Sequence, residues 1–375
     1  MKVLHTSDLH IGRSLMEESL LPDQEYILKQ IIRVIKDEAV DVVMISGDIY
    51  DKSIPAADAV RLFNDFLVDL SQCDCEVLII RGNHDSADRL NFGSDLFDRL
   101  NIHIVTEYKG RITRFSKENV DFYMLPFIKP FNLKDYLTEE EYASINSSND
   151  IMKAVLRREH IDKNRINILM MHRFVCKGDK YPETSESESM LNVGTLDPVD
   201  AGLLDAFDYV ALGHIHKPQT ISRDTLRYSG TPMKYSFSEV NNHNGVVIYD
   251  TDAKETEIIP LHPLREMRVI RDTYSNIMSM DNSKDLLRIE LQDEPDVSTP
   301  LDELKKKFPN LLSLVPLTRR YQSRGMFAGR TEITARDSPE TLFAEFFQLQ
   351  TGREMNDREQ AFLKGILDNM REELS

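Results

Sequence analysis

Five times in its first 216 residues the chain runs through a short apolar, β-branched stretch and sets Asp, Asn or His close behind it. The segments are Asp8-Leu9-His10, Gly47-Asp48, Gly82-Asn83-His84-Asp85, Met171-His172 and Gly213-His214-Ile215-His216. A fold that satisfies all five must gather several strand ends at one edge, where open α/β sheets build their active sites. Alternate residues of an extended chain point the same way, so Asp8 pairs with His10 and His214 with His216, each pair offering two ligands to one ion. Glycines ahead of Asp48, Asn83 and His214 permit tight turns and close backbone approach. Asp8, His10, Asp48, Asn83, His172, His214 and His216 are more ligands than one cation needs. They match two cations sharing a carboxylate, the clamp used for in-line attack at phosphorus. Mixed imidazole, carboxylate and amide ligation suits manganese, iron or zinc better than calcium or magnesium. The other histidines, His5, His103, His160, His243 and His262, read as ordinary core or surface residues.

The rest of the chain supports an α/β class. Strands are predicted at 2–6, 41–45, 76–80, 122–125, 167–171, 209–212 and 245–249, several of them continuous apolar runs as in strands covered on both faces. Amphipathic helices are predicted at 25–38 and 56–70 between them, giving a layered α/β domain over residues 1–263. Residues 139–150 read as a polar loop, and 177–192, with its alternating Ser and Glu, as a long mobile surface loop. A small α+β domain is expected at 264–335, with strands at 267–272, 286–291 and 311–317 and a helix at 301–308. Residues 336–375 read as two amphipathic helices, the second opened by a capping box between Asn356 and Glu359.

Charge narrows the function. With 46 basic and 63 acidic side chains the net charge is −17, a mean field that repels phosphate and argues against nonspecific coating of nucleic acid. Locally the balance reverses: residues 301–335 hold seven Lys or Arg against three acids, a net +4, read as either a solvated face or a DNA contact. Three cysteines and no apolar run near the roughly 20 residues that span a bilayer lead us to expect a reducing cytoplasm and no disulfide framework.

The order D-x-H, GD, GNHD, H and GHIH resembles that of the calcineurin-like metallophosphoesterases over about residues 1–250. Flanking residues sharpen the likeness: Leu4-His5-Thr6-Ser7, Ile49-Tyr50-Asp51, Tyr228-Ser229-Gly230-Thr231-Pro232 and Ser236-Phe237-Ser238-Glu239 are similar to the bacterial DNA-repair nucleases of that superfamily, over nearly the whole chain. The resemblance implies a four-layer α/β sandwich, a small α+β capping domain, and a C-terminal helix–loop–helix that grips a coiled-coil ATPase. It implies two divalent ions, Mn²⁺ by preference, one held by Asp8, His10, Asp48 and His216 and the other by Asp48, Asn83, His172 and His214. His84 would protonate or stabilise the departing 3′-oxygen, and Asp85 would orient it. Asp51 stands where some relatives have histidine and is given no catalytic step. The implied activity is exonuclease on duplex DNA ends and endonuclease on single strands or hairpins, by a homodimer formed through helices near 57–70 and 89–100, in a cytoplasmic, nucleoid-associated complex. Two rivals are another phosphoesterase of the superfamily and a scaffold that has lost its metals.

Overall fold

The computed structural model describes residues 1–188, 198–293 and 300–317, with Phe347, Arg353, Met355, Asn356, Glu359, Gln360 and Leu363. The chain divides into two units, Met1–Arg268 and Val269–Ser375. In the first, β1 (Lys2–Thr6), α1 (Leu21–Asp37), β2 (Val42–Ser46), α2 (Ala57–Ser71), β3 (Glu76–Ile80) and β4 (Ile102–Val105) alternate. Then follow β5 (Thr113–Lys117), β6 (Val120–Leu125), α3 (Ser148–Leu156), β7 (Ile166–His172) and β8 (Tyr209–Gly213). The last strands are β9 (Gln219–Thr220), β10 (Leu226–Tyr228), β11 (Gly245–Asp250) and β12 (Glu255–Pro260). They form two six-stranded sheets, ordered β12-β11-β1-β2-β3-β4 and β9-β10-β8-β7-β6-β5. Strands β1 to β4 run parallel, as do β6, β7, β8 and β10. Parallel neighbours need long crossovers, which is why α1 and α2 intervene.

Packing follows from the apolar runs. Val3, Val42, Met44, Leu78 and Ile80 of the first sheet meet Phe122, Met124, Ile168, Met170, Tyr209 and Ala211 of the second in one buried layer. The alternate residues Leu4, Val43, Ile45, Val77 and Ile79 are as fully buried, as expected of strands covered on both faces. The amphipathic α1 and α2 pack on each other and bury Ile27, Ile31, Ile35, Phe63 and Phe66. On the far face of the second sheet, Tyr123, Leu125, Leu169, Met171, Val210 and Leu212 pack with Ile151, Met152 and Val155 of α3. Helices, sheet, sheet and helices make the expected four layers.

Two departures have physical reasons. Residues 139–150 are not a loop: their polar residues are caps. Thr138 and Glu141 exchange capping-box bonds that open a helix at Glu139–Ala143, and the Ser147 hydroxyl accepts from Asp150 N–H to open α3. The unpredicted strands are edge or near-edge strands, too short or too polar to carry an apolar signature; β12 has no buried residue, four of its six being exposed and two half-buried. Residues 264–268 stay with the larger unit. Arg265 forks onto the fully buried Asp23 in the first turn of α1 and onto Glu18, and Lys234 pairs with Glu266 at 2.6 Å.

β13 (Met267–Asp272), whose residues from Val269 on belong to the second unit, β14 (Leu286–Leu291) and β15 (Leu311–Pro316) form one sheet in that order. Helices α4 (Tyr274–Ser279) and α5 (Pro300–Lys307) accompany them. Strands β14 and β15 are parallel, and Ile270, Ile277, Leu287, Ile289, Leu304 and Phe308 form the core. The second half of the basic segment and most of the two tail helices lie outside the described residues. The capping box at 356 is present: Asn356 N–H donates to Glu359 at 2.9 Å, and Glu359 N–H to Asn356 Oδ1 at 3.0 Å. Among the described residues no helix is long and apolar enough to cross a membrane.

Candidate metal centre

Each ligand segment lies at the C-terminal end of a parallel strand, three in the first sheet (β1, β2, β3) and two in the second (β7, β8). The pairing of β1 with β2 continues beyond both strands. Asp8 N–H donates to Gly47 O and His10 N–H to Asp48 O, both at 3.0 Å, and Ile11 N–H to Ile49 O at 2.9 Å. These loops are not extended. Asp8 (φ 54°), His10 (φ 42°), Asp48 (φ 51°) and His214 (φ 102°) all have positive φ, a region non-glycine residues seldom enter. The convergence of Asp8 with His10 therefore comes from left-handed turns rather than strand alternation. His214 and His216 turn to different neighbours, His214 Nδ1 to Asn83 Oδ1 and His216 Nε2 to His10 Nε2.

The first group is Asp8, His10 and His216. His10 Nε2 lies 3.1 Å from His216 Nε2, 4.0 Å from Asp8 Oδ1 and 3.8 Å from Asp48 Oδ2. In the second, Asn83 Oδ1 lies 3.0 Å from His172 Nε2 and 2.9 Å from His214 Nδ1, and His172 Nε2 lies 3.2 Å from Asp48 Oδ2. Asp48 reaches both. The loops interlock so closely that a side chain on Gly47, Gly82 or Gly213 is excluded. A Cβ on Gly82 would collide with the backbone and carboxylate of Asp48; one on Gly213 would collide with Ser46 O and stand 2.7 Å from His172 Nδ1.

Neighbouring groups aim the ligands. His172 Nδ1 donates to Ser46 O at 2.8 Å, turning Nε2 inward. His214 N–H donates to both oxygens of Asp8, at 3.1 and 3.0 Å. His84 N–H donates to Asp48 Oδ1 at 2.8 Å, its Nδ1 donates to Asp51 O at 2.8 Å, and its Nε2 lies 3.9 Å from Asp48 Oδ2. The Asp85 carboxylate accepts the N–H groups of Ile49, Tyr50 and Gly82 at 3.2, 3.0 and 2.9 Å. It ties the 48–50 loop to the 82–85 loop, so these bonds act on His84 through the backbone.

Burial and mutual charge set the protonation. Burial drives His10 well below the usual histidine range. His214 falls to about 3 through burial and then the nearby His172. Burial opposes a charge on His172 too, but Asp48 and Asp8 outweigh it and raise His172 to about 9. Burial raises Asp8. Asp48 is held low despite its burial, chiefly by His172. Inward-facing donors thus crowd one another: the contact between His10 Nε2 and His216 Nε2 holds one proton at most, and His10 Nδ1 is buried without a hydrogen-bond partner. Buried nitrogen and carboxylate donors within 4.8 Å of one another, in the sets Asp8, His10 and His216 and Asp8, Asp48 and His172, fit divalent cations of intermediate hardness.

Sequence reasoning missed a further group of residues around His216. Its Nδ1 faces Ser187 Oγ at 2.6 Å and Glu239 Oε1 at 3.2 Å, and its N–H donates to Glu188 Oε1 at 2.8 Å. Residues 185–188, expected to be part of a mobile surface loop, lie against the centre because Ser185, Ser187 and Glu188 bond to Glu239 and His216; 189–197 lie outside the described residues. Only the Ser-Phe-Ser-Glu segment signalled Glu239. Beside the second group, Phe127 stands edge-on to His172 and Phe174 edge-on to His214, each with ring centroids 6.5 Å apart. Tyr181 leans on Phe174 at 6.3 Å, and Arg173 lies over Phe127 at 5.2 Å.

Paired α/β sheets whose strand ends carry such a donor set define a calcineurin-like phosphoesterase, and residues 1–218 match the model of that family. Residues 263–351 match the model described as the type 5 capsule protein repressor C-terminal domain. The SbcD subunit of the nuclease SbcCD from Staphylococcus saprophyticus is 34% identical over 382 residues, covering 100% of this chain and 99% of that relative. The chain belongs to the calcineurin-like phosphoesterases and, within them, to the SbcD family of nuclease subunits. Among solved structures, GAP50, the anchor in the inner membrane complex of Plasmodium, aligns with 70% of this chain and 89% of its own at 14% identity and a TM-score of 0.36. A dimetal phosphatase from Danio rerio aligns with 61% and 86% at 16% identity and a TM-score of 0.35. Likenesses that distant bear no functional argument.

Proposed function

We propose that the chain is a two-metal DNA nuclease, an exonuclease on duplex ends and an endonuclease on single strands and hairpins. It acts with an SbcC-type coiled-coil ATPase in DNA end processing, repair and recombination. The observation that carries this reading is the gathering of Asp8, His10, Asp48, Asn83, His172, His214 and His216 into one cluster of contacts, with the His84 imidazole 3.9 Å from the Asp48 carboxylate. One cation is held by Asp8, His10, Asp48 and His216 and the other by Asp48, Asn83, His172 and His214; the donor set suits Mn²⁺. When bound, the cations supply Lewis acidity and charge neutralisation at phosphorus. His84, whose Nδ1 donates to Asp51 O, would hold or hand over a proton to the departing 3′-oxygen through Nε2. Asp85 keeps the two loops in register.

DNA is favoured over a small ester by the wall beside the second ligand group. Phe127 and Phe174 are partly exposed, and an aromatic face holds an unstacked base for about 1–3 kcal/mol. With Mn²⁺, hairpin DNA is expected to turn over well ahead of a phosphoprotein. Phe174→Ala is expected to raise KM for the hairpin roughly 10-fold and to leave a chromogenic diester unaffected. Hydrolysis of the phosphoprotein with inert DNA would favour another phosphoesterase of the superfamily.

The ATPase is placed at residues 336–375, supported by their amphipathic pattern and by the whole-length likeness to a protein named as part of SbcCD. A chain ending near Arg336 is expected to lose co-purification with the ATPase; equal recovery with full-length protein would refute the docking region. A homodimer through residues 57–70 and 89–100 is supported by the exposure of Phe92 (85%) and Leu96 (65%), and sedimentation equilibrium is its test.

A further inference from the structure

Glu239 is fully buried, yet among the described residues its only ion-pair partner is His216, and no described lysine or arginine balances it. A buried carboxylate without a permanent counter-charge is costly, and a residue serving only to tie a turn would do so as an amide. Its bonds run two ways. Oε2 accepts Tyr235 N–H at 2.8 Å, anchoring the carboxylate to its own turn. Oε1 faces His216 Nδ1 at 3.2 Å and accepts the hydroxyls of Ser185, at 2.9 Å, and of Ser187. Because Glu239 only accepts, the Ser187 hydroxyl is committed to it, and Ser187 Oγ at 2.6 Å is left to accept from His216. Both neighbours of Nδ1 therefore demand a proton there, and Nε2 carries the free pair that faces His10 and Asp8.

We infer that Glu239 is a positioning residue for the first cation: it fixes the tautomer and ring orientation of His216, and through the same oxygen it seats residues 185–188 against that ligand. The second role follows from the shared acceptor. Ser185 and Ser187 reach Glu239 while Glu188 Oε1 accepts the N–H of His216 at 2.8 Å. Arg13 holds the segment from the other side, donating to Ser187 O at 3.1 Å and pairing with Asp51 at 2.7 Å. Cation affinity at the first site and protection of residues 185–188 are then two readings of one carboxylate.

The inference rests on the two-cation reading but not on DNA as the substrate. Mn²⁺ binding to the full-length chain, without nucleic acid, is followed by titration calorimetry, the His216 tautomer by imidazole ¹⁵N chemical shifts, and residues 185–188 by amide hydrogen exchange. Glu239→Ala is expected to weaken the first-site cation about 10–100-fold, to leave the second near its original affinity, and to raise exchange at 185–188. Glu239→Gln, which keeps an acceptor oxygen, is expected to recover part of the affinity and the Nδ1–H signature. Ser187→Ala leaves the carboxylate to take Nδ1–H directly and is expected to retain affinity within about 3-fold. Unchanged Mn²⁺ affinity and tautomer in Glu239→Ala would overturn the inference, as would Glu239→Gln behaving no better than Glu239→Ala. A wild-type chain that binds two cations but cuts no DNA would defeat the nuclease proposal and leave this one standing. A wild-type chain that binds none would defeat both.

Discussion

Asp48→Asn is expected to lower phosphodiester turnover by roughly 10⁴-fold or more, the scale on which removing a central member of a catalytic constellation acts. The chain should still fold. Asparagine has the shape of aspartate and enters the left-handed region as readily, and it removes a carboxylate from a buried cluster that already contains Asp8 and Asp85. What it removes is the shared anion. Asp48 Oδ2 stands 3.8 Å from His10, 3.2 Å from His172 and 3.9 Å from His84, and Oδ1 fixes His84 N–H at 2.8 Å. An amide cannot supply negative charge to two cations at once, so Mn²⁺ stoichiometry is expected to fall below two per chain while the circular dichroism spectrum is retained. Two tightly bound cations with more than a tenth of the wild-type rate would show that Asp48 is not the bridge.

His84→Gln probes a different link, proton handling without ligation. Glutamine keeps a polar end and the backbone bond to Asp48, but it cannot deliver a proton. The expected loss is about 10²–10⁴-fold in kcat on DNA, the usual worth of a positioned general acid, with Mn²⁺ affinity nearly unchanged. The leaving group separates this from a disturbed site. A 3′-alkoxide needs a proton as it departs, whereas a nitrophenolate leaves without one, so the variant should keep a far larger share of its rate on a chromogenic diester. Equal losses on both substrates would mean that His84 organises the centre; full activity on DNA would remove it from the mechanism.

The residues of the candidate centre were legible because a metal site would impose residue types that the sequence can hardly disguise. Histidine, aspartate and asparagine recur after β1, β2, β3, β7 and β8, and those strands, buried on both faces, announce themselves as apolar runs. Partners defined by three-dimensional neighbourhood were not legible. Glu239 lies 23 residues from His216, and Ser187 belongs to a polar stretch whose composition resembles a solvent loop. Asp85 stands beside His84 in sequence, but its carboxylate takes three backbone donors from two loops, a direction that chain order does not encode. The helices capped by Thr138 and Ser147 were hidden for a related reason: capping residues are turn formers, so a pair of short capped helices reads as a loop. The two-residue β9 and the polar β12 carry no periodicity long enough to detect.

Four residues of the candidate centre, Asp8, His10, Asp48 and His214, hold a backbone that side-chain-bearing residues adopt at a penalty of about 1–3 kcal/mol each. Any of these positions would relax as glycine. Heat-resistance screening of a variant library, blind to catalysis, should therefore enrich glycine where this centre draws its donors, and the hardiest survivors would be inert. Thermostable descendants that still process DNA must draw their gains from the outer helices and edges, leaving the strained rim untouched.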